Sequence, residues 1–488
     1  MGRVRGIWMR SQDGNKYAGF LGLPFAKPPV GELRFLPPER AEAWSGEWDA
    51  SSMSPRCICW DHVMAPFDTL KVKGQEDCLY LNIYTPADAL KHRDHKREVI
   101  VWFHAGGFMF GGALEYGASK LMDRDVILVT VNYRLGPFGF LSLENDVLPG
   151  NNGLRDQTMA LRWLQEHIDS FGGNPRAVTL MGMSAGGSSV HLHFLSPLSR
   201  GLFHGGVSLS GTALCRWVIT EGAKEKARQL AASLGGTPAS CSTYWPFSPF
   251  GPVVERRDQT LLPFLPDTPI NMLARGEFST DPWVTGVTAS EGLYPAGQFI
   301  ANPAAMQRLW DEFKELAPHL LDYNRTVTLE DRAEVTQVIK KRLGPLDDGA
   351  PARIVKMISE RMFLVDAQRA AELQSRHAAV WFYHFRYRGR QSLSDLLTGT
   401  THNYEEALVE RQMLEYWTSF TRHGEPRSTT GGEWQRVSPG GDLEYLDIAG
   451  SPAHMQSTHD LGDAEFWESL PFLERSQSLG PQKVKDEL

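Results

Sequence analysis

Long hydrophobic runs are missing from this 488-residue chain; no stretch reaches the roughly 18 consecutive apolar residues that a membrane-crossing helix needs. Nothing in it is therefore expected to span a bilayer. A secretory leader is not expected in Met1–Arg10 either, because it carries charges with no apolar segment behind them. Positive charge is in short supply: 50 Lys and Arg stand against 58 Asp and Glu, a net charge of -8, which excludes a general binder of nucleic acid or of acidic membrane. Cysteine is scarce. Cys57, Cys59, Cys78, Cys215 and Cys241 are too few and too scattered for a disulfide-built scaffold, and their odd number leaves at least one outside any intrachain bridge. Cys57-Ile58-Cys59 has no second ligand cluster to complete a zinc site, and no metal or cofactor is expected. Internal repeats and low-complexity tracts are also lacking.

What is present is ordinary in bulk. The 42% hydrophobic and 22% charged fractions are those of a globular protein with material for a large core. The length would suit two or three average domains, yet large α/β enzymes reach it as one. Residues 1–473 are expected to form a single domain and 474–488 a polar, mobile tail. That tail closes on Lys485-Asp486-Glu487-Leu488, an address read by the KDEL receptor, which keeps soluble proteins in the lumen of the endoplasmic reticulum. Because the address has meaning only in the lumen, a signal peptide is expected to be missing from this version of the chain.

The patterning is that of a mostly parallel α/β sheet flanked by helices. Gly and Pro density from Tyr17 to Phe35 excludes a regular helix and predicts a shaped loop between short edge strands. Cys78–Thr85 alternates apolar and polar residues, as a strand does. Val99–Phe103 and Val126–Tyr133 are near-continuous apolar runs, the mark of strands buried on both faces. A Gly- and Pro-rich turn is expected from Arg134 to Phe140. A helix carrying Met159, Leu161, Trp163, Leu164 and Ile168 follows, stopped at Phe171-Gly172-Gly173-Asn174-Pro175. Further strands are expected within Gly205–Thr212, Val284–Val287 and Val380–Phe385. Strand, helix, strand, turn, helix in this order places ligands at the carboxyl ends of the strands.

One such end carries a serine. Val178–Met183 is an apolar, β-prone run that continues as Ser184-Ala185-Gly186-Gly187, and Gly182-Met183-Ser184-Ala185-Gly186 reads as a nucleophile elbow. A sharp strand-to-helix turn needs glycine on both sides, where a Cβ would crowd the incoming backbone. The helix after it, through His191–Leu195, aims its first N–H groups at the serine and favours negative charge there. Earlier, His104-Ala105-Gly106-Gly107 follows a buried strand. Its two glycines leave backbone N–H groups unobstructed, as an oxyanion hole requires. A serine nucleophile also needs a base, and a carboxylate to hold that base in the right tautomer. Two later turns fit: Glu291 just past the strand Val284–Val287, and His402 in Gly399-Thr400-Thr401-His402.

With these segments in view, the chain resembles the type-B carboxylesterases, the family that includes the cholinesterases. The resemblance rests on Phe20–Phe35, Glu76-Asp77-Cys78-Leu79-Tyr80-Leu81-Asn82, His104–Gly107, Asn132-Tyr133-Arg134, Asp156-Gln157, Phe171–Pro175, the serine elbow, Glu291-Gly292 and Gly399–His402, and so extends over nearly the whole chain. It implies an α/β-hydrolase fold with helical insertions over the active site, and hydrolysis of an ester substrate without a cofactor. It also implies Ser184 as nucleophile, His402 as base and then acid, and Glu291 as its orienting carboxylate. Gly106, Gly107 and Ala185 are implied as the oxyanion hole, Cys57 as bridged to Cys78, and Ser210 and Trp217 as lying near the site. Within the family the resemblance is to arthropod secreted or venom-type carboxylesterases, through Gly182–Gly187 and Ser290–Pro295. Asn324-Arg325-Thr326 is a glycosylation sequon suited to luminal passage.

Departures from the family pattern narrow the substrate. Met183 stands at the pocket where many relatives have glutamate, and the loop between Cys57 and Cys78 has only Trp60, next to the first cysteine. A quaternary ammonium needs an aromatic face or a nearby anion, so a cholinesterase is rejected. Ala105 replaces the first glycine of His-Gly-Gly-Gly, which is tolerable at negative φ. One helix, Glu221–Leu234, is expected before a segment that is short near 235–250, leaving Cys241 as an orphan of a lost pair. The main reading is a serine esterase for small uncharged or lipophilic esters. The alternatives are a non-catalytic interaction protein of the same fold, and a slow stoichiometric scavenger of reactive esters.

Overall fold

The computed structural model describes residues 2–60, 72–92, 94–234, 248–255, 262–388 and 405–473. Its strands, in chain order, are β1 (Arg3–Arg5), β2 (Ile7–Arg10), β3 (Lys16–Pro24), β4 (Glu47–Asp49), β5 (Tyr80–Pro86), β6 (Arg97–Phe103), β7 (Ile127–Val131), β8 (Gly173–Met183), β9 (Gly205–Leu209), β10 (Trp283–Thr288), β11 (Val380–Phe385), β12 (Leu443–Ile448) and β13 (His454–Thr458). β1 and β4 form a separate two-stranded ribbon. The other eleven make one sheet in the order β13-β12-β11-β10-β9-β8-β6-β7-β5-β3-β2. Pairing is parallel from β7 across to β12 and antiparallel at both margins.

The apolar runs explain the middle of this sheet. Every residue of β7 is buried. In β6, Val99, Val101 and Phe103 join the hydrophobic core on one face while Ile100 joins the core on the other. A strand covered on both sides by helices gains from each neighbour; full burial of such a side chain is worth about 1.5–3 kcal/mol. Between strands run α1 (Gly136–Phe140), α2 (Asn152–His167) and α3 (Ala185–Leu195). All of α3 is buried, as expected of a helix without a polar face. No helix among the described residues is long and apolar enough to cross a membrane.

The structure corrects the sequence reading in three places. The stretch expected as a loop from Tyr17 begins as strand β3, and its glycine serves a register shift between Phe20 and Leu23, with Gly22 at φ 68°. The turn expected over Arg134–Phe140 contains a short helix, entered at a proline near its first position, where a missing N–H costs nothing. The expected stop at Phe171–Pro175 ends one element and begins the next: Gly172 at φ 85° closes a 3-10 turn, and β8 already starts at Gly173. Pro175 is tolerated inside that strand because pairing with β9 starts only at Thr179.

Candidate active site

The carboxyl ends of five neighbouring parallel strands, β6, β8, β9, β10 and β11, open onto one cavity of about 920 Å³. Gly106 and Gly107 reach it from β6, Ser184 from β8, Ser210 from β9, Glu291 from β10 and Arg386 from β11. Ser184 therefore shares a wall with the predicted acid and the predicted oxyanion glycines, which come from remote parts of the chain.

Backbone geometry at these ends is strained in the manner of functional turns. Ser184 sits at φ 56°, ψ -118°, a conformation costing about 1–3 kcal/mol for a side-chain-bearing residue. It is held by its own N–H to the Leu209 carbonyl at 2.7 Å and by the Ser188 N–H to its carbonyl at 2.8 Å. Both flanking glycines are required by space: a Cβ on Gly182 would meet the backbone of Gly186, and one on Gly186 would meet the carbonyls of Phe103 and His104. Ala185 is the first residue of α3, so its N–H has no acceptor within the helix and lies beside the serine.

The glycine loop is fixed peptide by peptide. In a trans peptide the C=O and N–H point in opposite directions, so holding one aims the other. The Ala105 carbonyl accepts from His104 Nδ1 at 2.8 Å, and the Gly106 carbonyl accepts from the N–H groups of Met109 and Phe110 at 2.9 and 3.0 Å. The N–H groups of Gly106 and Gly107 meet no acceptor among the described residues. Gly106 is at φ 119° and Gly107 at φ 57°, whereas Ala105 stays out of the positive-φ region, which is why alanine is tolerated there. Behind the loop, Tyr133 stacks on His104 with ring centroids 4.3 Å apart and donates its hydroxyl to the His104 carbonyl at 2.9 Å. Tyr116 accepts from the Ala105 N–H at 3.2 Å. Sequence reasoning gave neither tyrosine a role at the loop, because each acts through a contact more than ten residues away.

Arg134 and Asp156 carry the same logic further. They form a fully buried, bidentate ion pair at 2.7 and 2.8 Å, and Arg134 also donates to the carbonyls of Arg34 and Leu36. Glu76, read from the sequence as structural, pairs with Arg34 at 2.9 Å.

Glu291 is half-buried, and one of its oxygens accepts from the Thr288 N–H at 2.6 Å. Burial pushes its carboxyl up to about 7, against the pull of hydrogen bonds from Thr288 and Ser210. The turn is locked from behind by the Gly292 N–H, which donates to the Ser359 hydroxyl at 2.8 Å. Three buried histidines near the site are committed elsewhere. Burial lowers His104 to about 4 and His191 and His193 to about 3, leaving all three neutral. His191 accepts from the Ala213 N–H and so donates through Nε2 to Gln374, while His193 lies between Ser199 and Gln157. No histidine lines the cavity among the described residues. His402 lies outside them, as do Cys241 and the Lys485–Leu488 tetrapeptide.

The remaining expectations divide. Met183 is 38% exposed and lines the cavity, as does Ser210. Trp217 does not face the cavity; it is buried one layer behind, 5.8 Å from the ring of Phe363, which does. Cys57 and Cys78 form a disulfide. Cys215 is a buried thiol, pushed by burial up to about 12 and therefore inert. Asn324 is half-buried and the Thr326 of its sequon is buried.

Known proteins are similar to this chain over most of its length. The Carboxylesterase family profile matches residues 1–245 and 239–467. A carboxylic ester hydrolase of Bombus ignitus is 38% identical over 98% of this chain and 94% of its own length. Venom carboxylesterase-6 of Apis mellifera is 37% identical over 97% and 94%. The solved structure of juvenile hormone esterase from Manduca sexta, with OTFP covalently attached, superposes with a TM-score of 0.78 at 25% identity, covering 95% of this chain and 99% of that one. The chain is a member of the carboxylesterase family.

Proposed function

We propose that this serine carboxylic-ester hydrolase works through an acyl-enzyme on Ser184, with His402 as base and then acid and Glu291 holding His402 in its reactive tautomer. The observation that carries this reading is the convergence of Ser184, Glu291 and the open N–H groups of Gly106 and Gly107 on one cavity. Ser184 Oγ attacks the ester carbonyl carbon as His402 takes its proton. Negative charge on the carbonyl oxygen falls among the N–H groups of Gly106, Gly107 and Ala185. Collapse expels the alcohol, which receives the proton from His402, and water then repeats the sequence to release the acid. The walls are mainly apolar, with Phe110, Met183, Leu293 and Phe363 among them, which supports small uncharged or lipophilic esters as substrates.

Three further proposals concern the chain's shortened segment, its address and its glycosylation. The family match falls in two blocks that meet between 239 and 245, and the alignments to both bee proteins run to 529 positions, which supports a shortened segment near 235–250. The Cys57–Cys78 bridge fits an oxidising compartment. Together with Lys485–Leu488 it supports retention in the endoplasmic reticulum lumen through the KDEL receptor, and Asn324 is the proposed glycosylation site.

The test is a burst experiment with p-nitrophenyl butyrate. A burst near one equivalent followed by turnover, both blocked by a serine-directed phosphonate and both lost in Ser184→Ala, is expected. Turnover that survives Ser184→Ala refutes the mechanism, and a burst without turnover would replace it with a stoichiometric scavenger.

A further inference from the structure

The third peptide of the glycine loop has its own clamp, and it comes from the short described segment 248–255. Ser248 is buried, and its hydroxyl donates to the Gly107 carbonyl at 2.7 Å, across 141 residues of sequence. Its other acceptor, the Phe250 carbonyl, is long at 3.4 Å, so the proton belongs to Gly107. Gly107 at φ 57° is thereby pinned on both sides: its preceding peptide through the Gly106 carbonyl, its following peptide through Ser248.

Ser248 does not hang on a loose loop. The residues after it are tied at successive points. The Gly251 N–H donates to the Thr220 hydroxyl at 2.8 Å, and the Thr220 N–H to the Pro252 carbonyl at 2.7 Å. Val253 exchanges two hydrogen bonds with the Asn151 side chain, at 2.8 and 2.9 Å. Glu255, buried, accepts from Asn151 and Arg155 at 2.5 Å each and from the Phe264 N–H at 3.0 Å. Seven such hydrogen bonds over residues 251–255, with Ser248 ending on one loop carbonyl, make a strap with a definite load at its tip.

We propose that Ser248 is a positioning residue for ester hydrolysis: by holding the Gly107 carbonyl it fixes the loop so that the Gly106 and Gly107 N–H groups stay aimed at the developing oxyanion. The inference rests on the reading of those two glycines as oxyanion donors. Charge on the substrate oxygen exists only in the tetrahedral state, so misaimed donors weaken that state more than the bound ester. Loss of Ser248 therefore acts on kcat rather than on KM.

The experiment compares the parent enzyme with Ser184→Ala, Ser248→Ala, Ser248→Cys and Ser248→Thr, using p-nitrophenyl butyrate and active sites counted by phosphonate titration. In Ser248→Ala, kcat per titrated site should fall about 10- to 100-fold with KM nearly unchanged. The Ki of an alkyl trifluoromethyl ketone, whose adduct places an oxyanion in the hole, should rise by the same factor. Inhibition by butyrate, which makes no such adduct, should not move. Ser248→Thr, which keeps the hydroxyl, should recover kcat to within a few-fold. Ser248→Cys, a poor donor of similar shape, should fall between, and it carries the test alone where Ser248→Ala is insoluble. Unchanged kcat per site and unchanged ketone Ki in Ser248→Ala or Ser248→Cys overturn the proposal, as does an equal weakening of ketone and butyrate. Turnover surviving in Ser184→Ala instead overturns the esterase mechanism on which it rests, so the two failures are told apart.

Discussion

Replacing Glu291 by glutamine should make the protein more stable and nearly inactive at once. The carboxyl is displaced from its ordinary 4.5 to about 7 chiefly by burial. Each pH unit of displacement is worth about 1.4 kcal/mol, so the charged form costs the fold at most about 3 kcal/mol. Water reaches a half-buried group and screens part of this, leaving ~1–3 kcal/mol. The folded state holds this proton to higher pH than the unfolded chain does. The penalty is therefore absent below 4.5, grows between 4.5 and 7, and is complete above 7, where an ordinary histidine is neutral and supplies no compensating charge. Glutamine keeps an oxygen for the Thr288 N–H and carries no charge. With an unfolding entropy of about 2 cal/mol/K per residue, one kcal/mol is about 1 °C in a chain of this length. Glu291→Gln should thus melt ~1–3 °C above the parent at pH 8 and level with it at pH 4.5, at one fixed scan rate. Its kcat on p-nitrophenyl butyrate should drop by about 10³–10⁴, the scale of a misoriented catalytic histidine. A variant that melts below the parent at pH 8, or that hydrolyses the ester at the parent rate, refutes the reasoning.

Two further substitutions test the scaffold. Gly186→Ala drives a Cβ into the Phe103 and His104 carbonyls, and is expected to lower the urea midpoint by the equivalent of ~1–3 kcal/mol and to cost more than 100-fold in kcat by displacing the elbow. Opening the Cys57–Cys78 bridge as a double serine variant releases a loop closed over a separation of 21 residues, worth about 3 kcal/mol; reduction of the parent should lower its melting temperature by the same amount, and no difference between oxidised and reduced parent would show the bridge to be idle.

Much of this was legible in the sequence, for reasons that differ by residue. Strands β6 and β7 were readable because burial on both faces leaves a nearly unbroken apolar run, a property of single segments. Ser184, Gly106 and Gly107 were readable because sterics at a tight turn exclude other residue types. Glu291 could be named from its place past a strand and from resemblance to a family, and the structure puts it at the cavity. Trp217 was named from resemblance alone, yet lies one layer back, because resemblance places a residue in a neighbourhood without saying which way it faces. What stayed hidden is non-local. Nothing around Ser248 announces Gly107, and nothing around Tyr133 announces His104, since a hydrogen bond across 141 or 29 residues leaves no periodicity behind. β3 was misread because its glycines, which locally signal a loop, serve a register shift that only the partner strand β5 makes visible.

Those hidden contacts have an energetic reason to exist. Three residues around the site, Phe108, Ser184 and Ser210, hold positive φ without being glycine, at the carboxyl ends of three adjacent strands. At about 1–3 kcal/mol each, their combined strain is of the same order as the 5–15 kcal/mol net stability of a typical domain. Such conformations persist only where the surroundings leave no alternative. Phe108 is fully buried and its carbonyl accepts from the Gly136 N–H at 2.7 Å; Ser184 is held between Leu209 and Ser188; the Ser210 N–H donates to the Gly286 carbonyl at 3.0 Å. Each strained residue thus hangs from the neighbouring strand or loop, and the parallel order of β6, β8, β9 and β10 makes those tethers converge. Loosening one tether lets its turn relax toward an ordinary φ, which offsets part of the stability lost with the tether and moves the turn from its place at the cavity. That coupling predicts the same sign at every anchor of the site: variants that relieve strain should be active-site variants even when they touch no substrate.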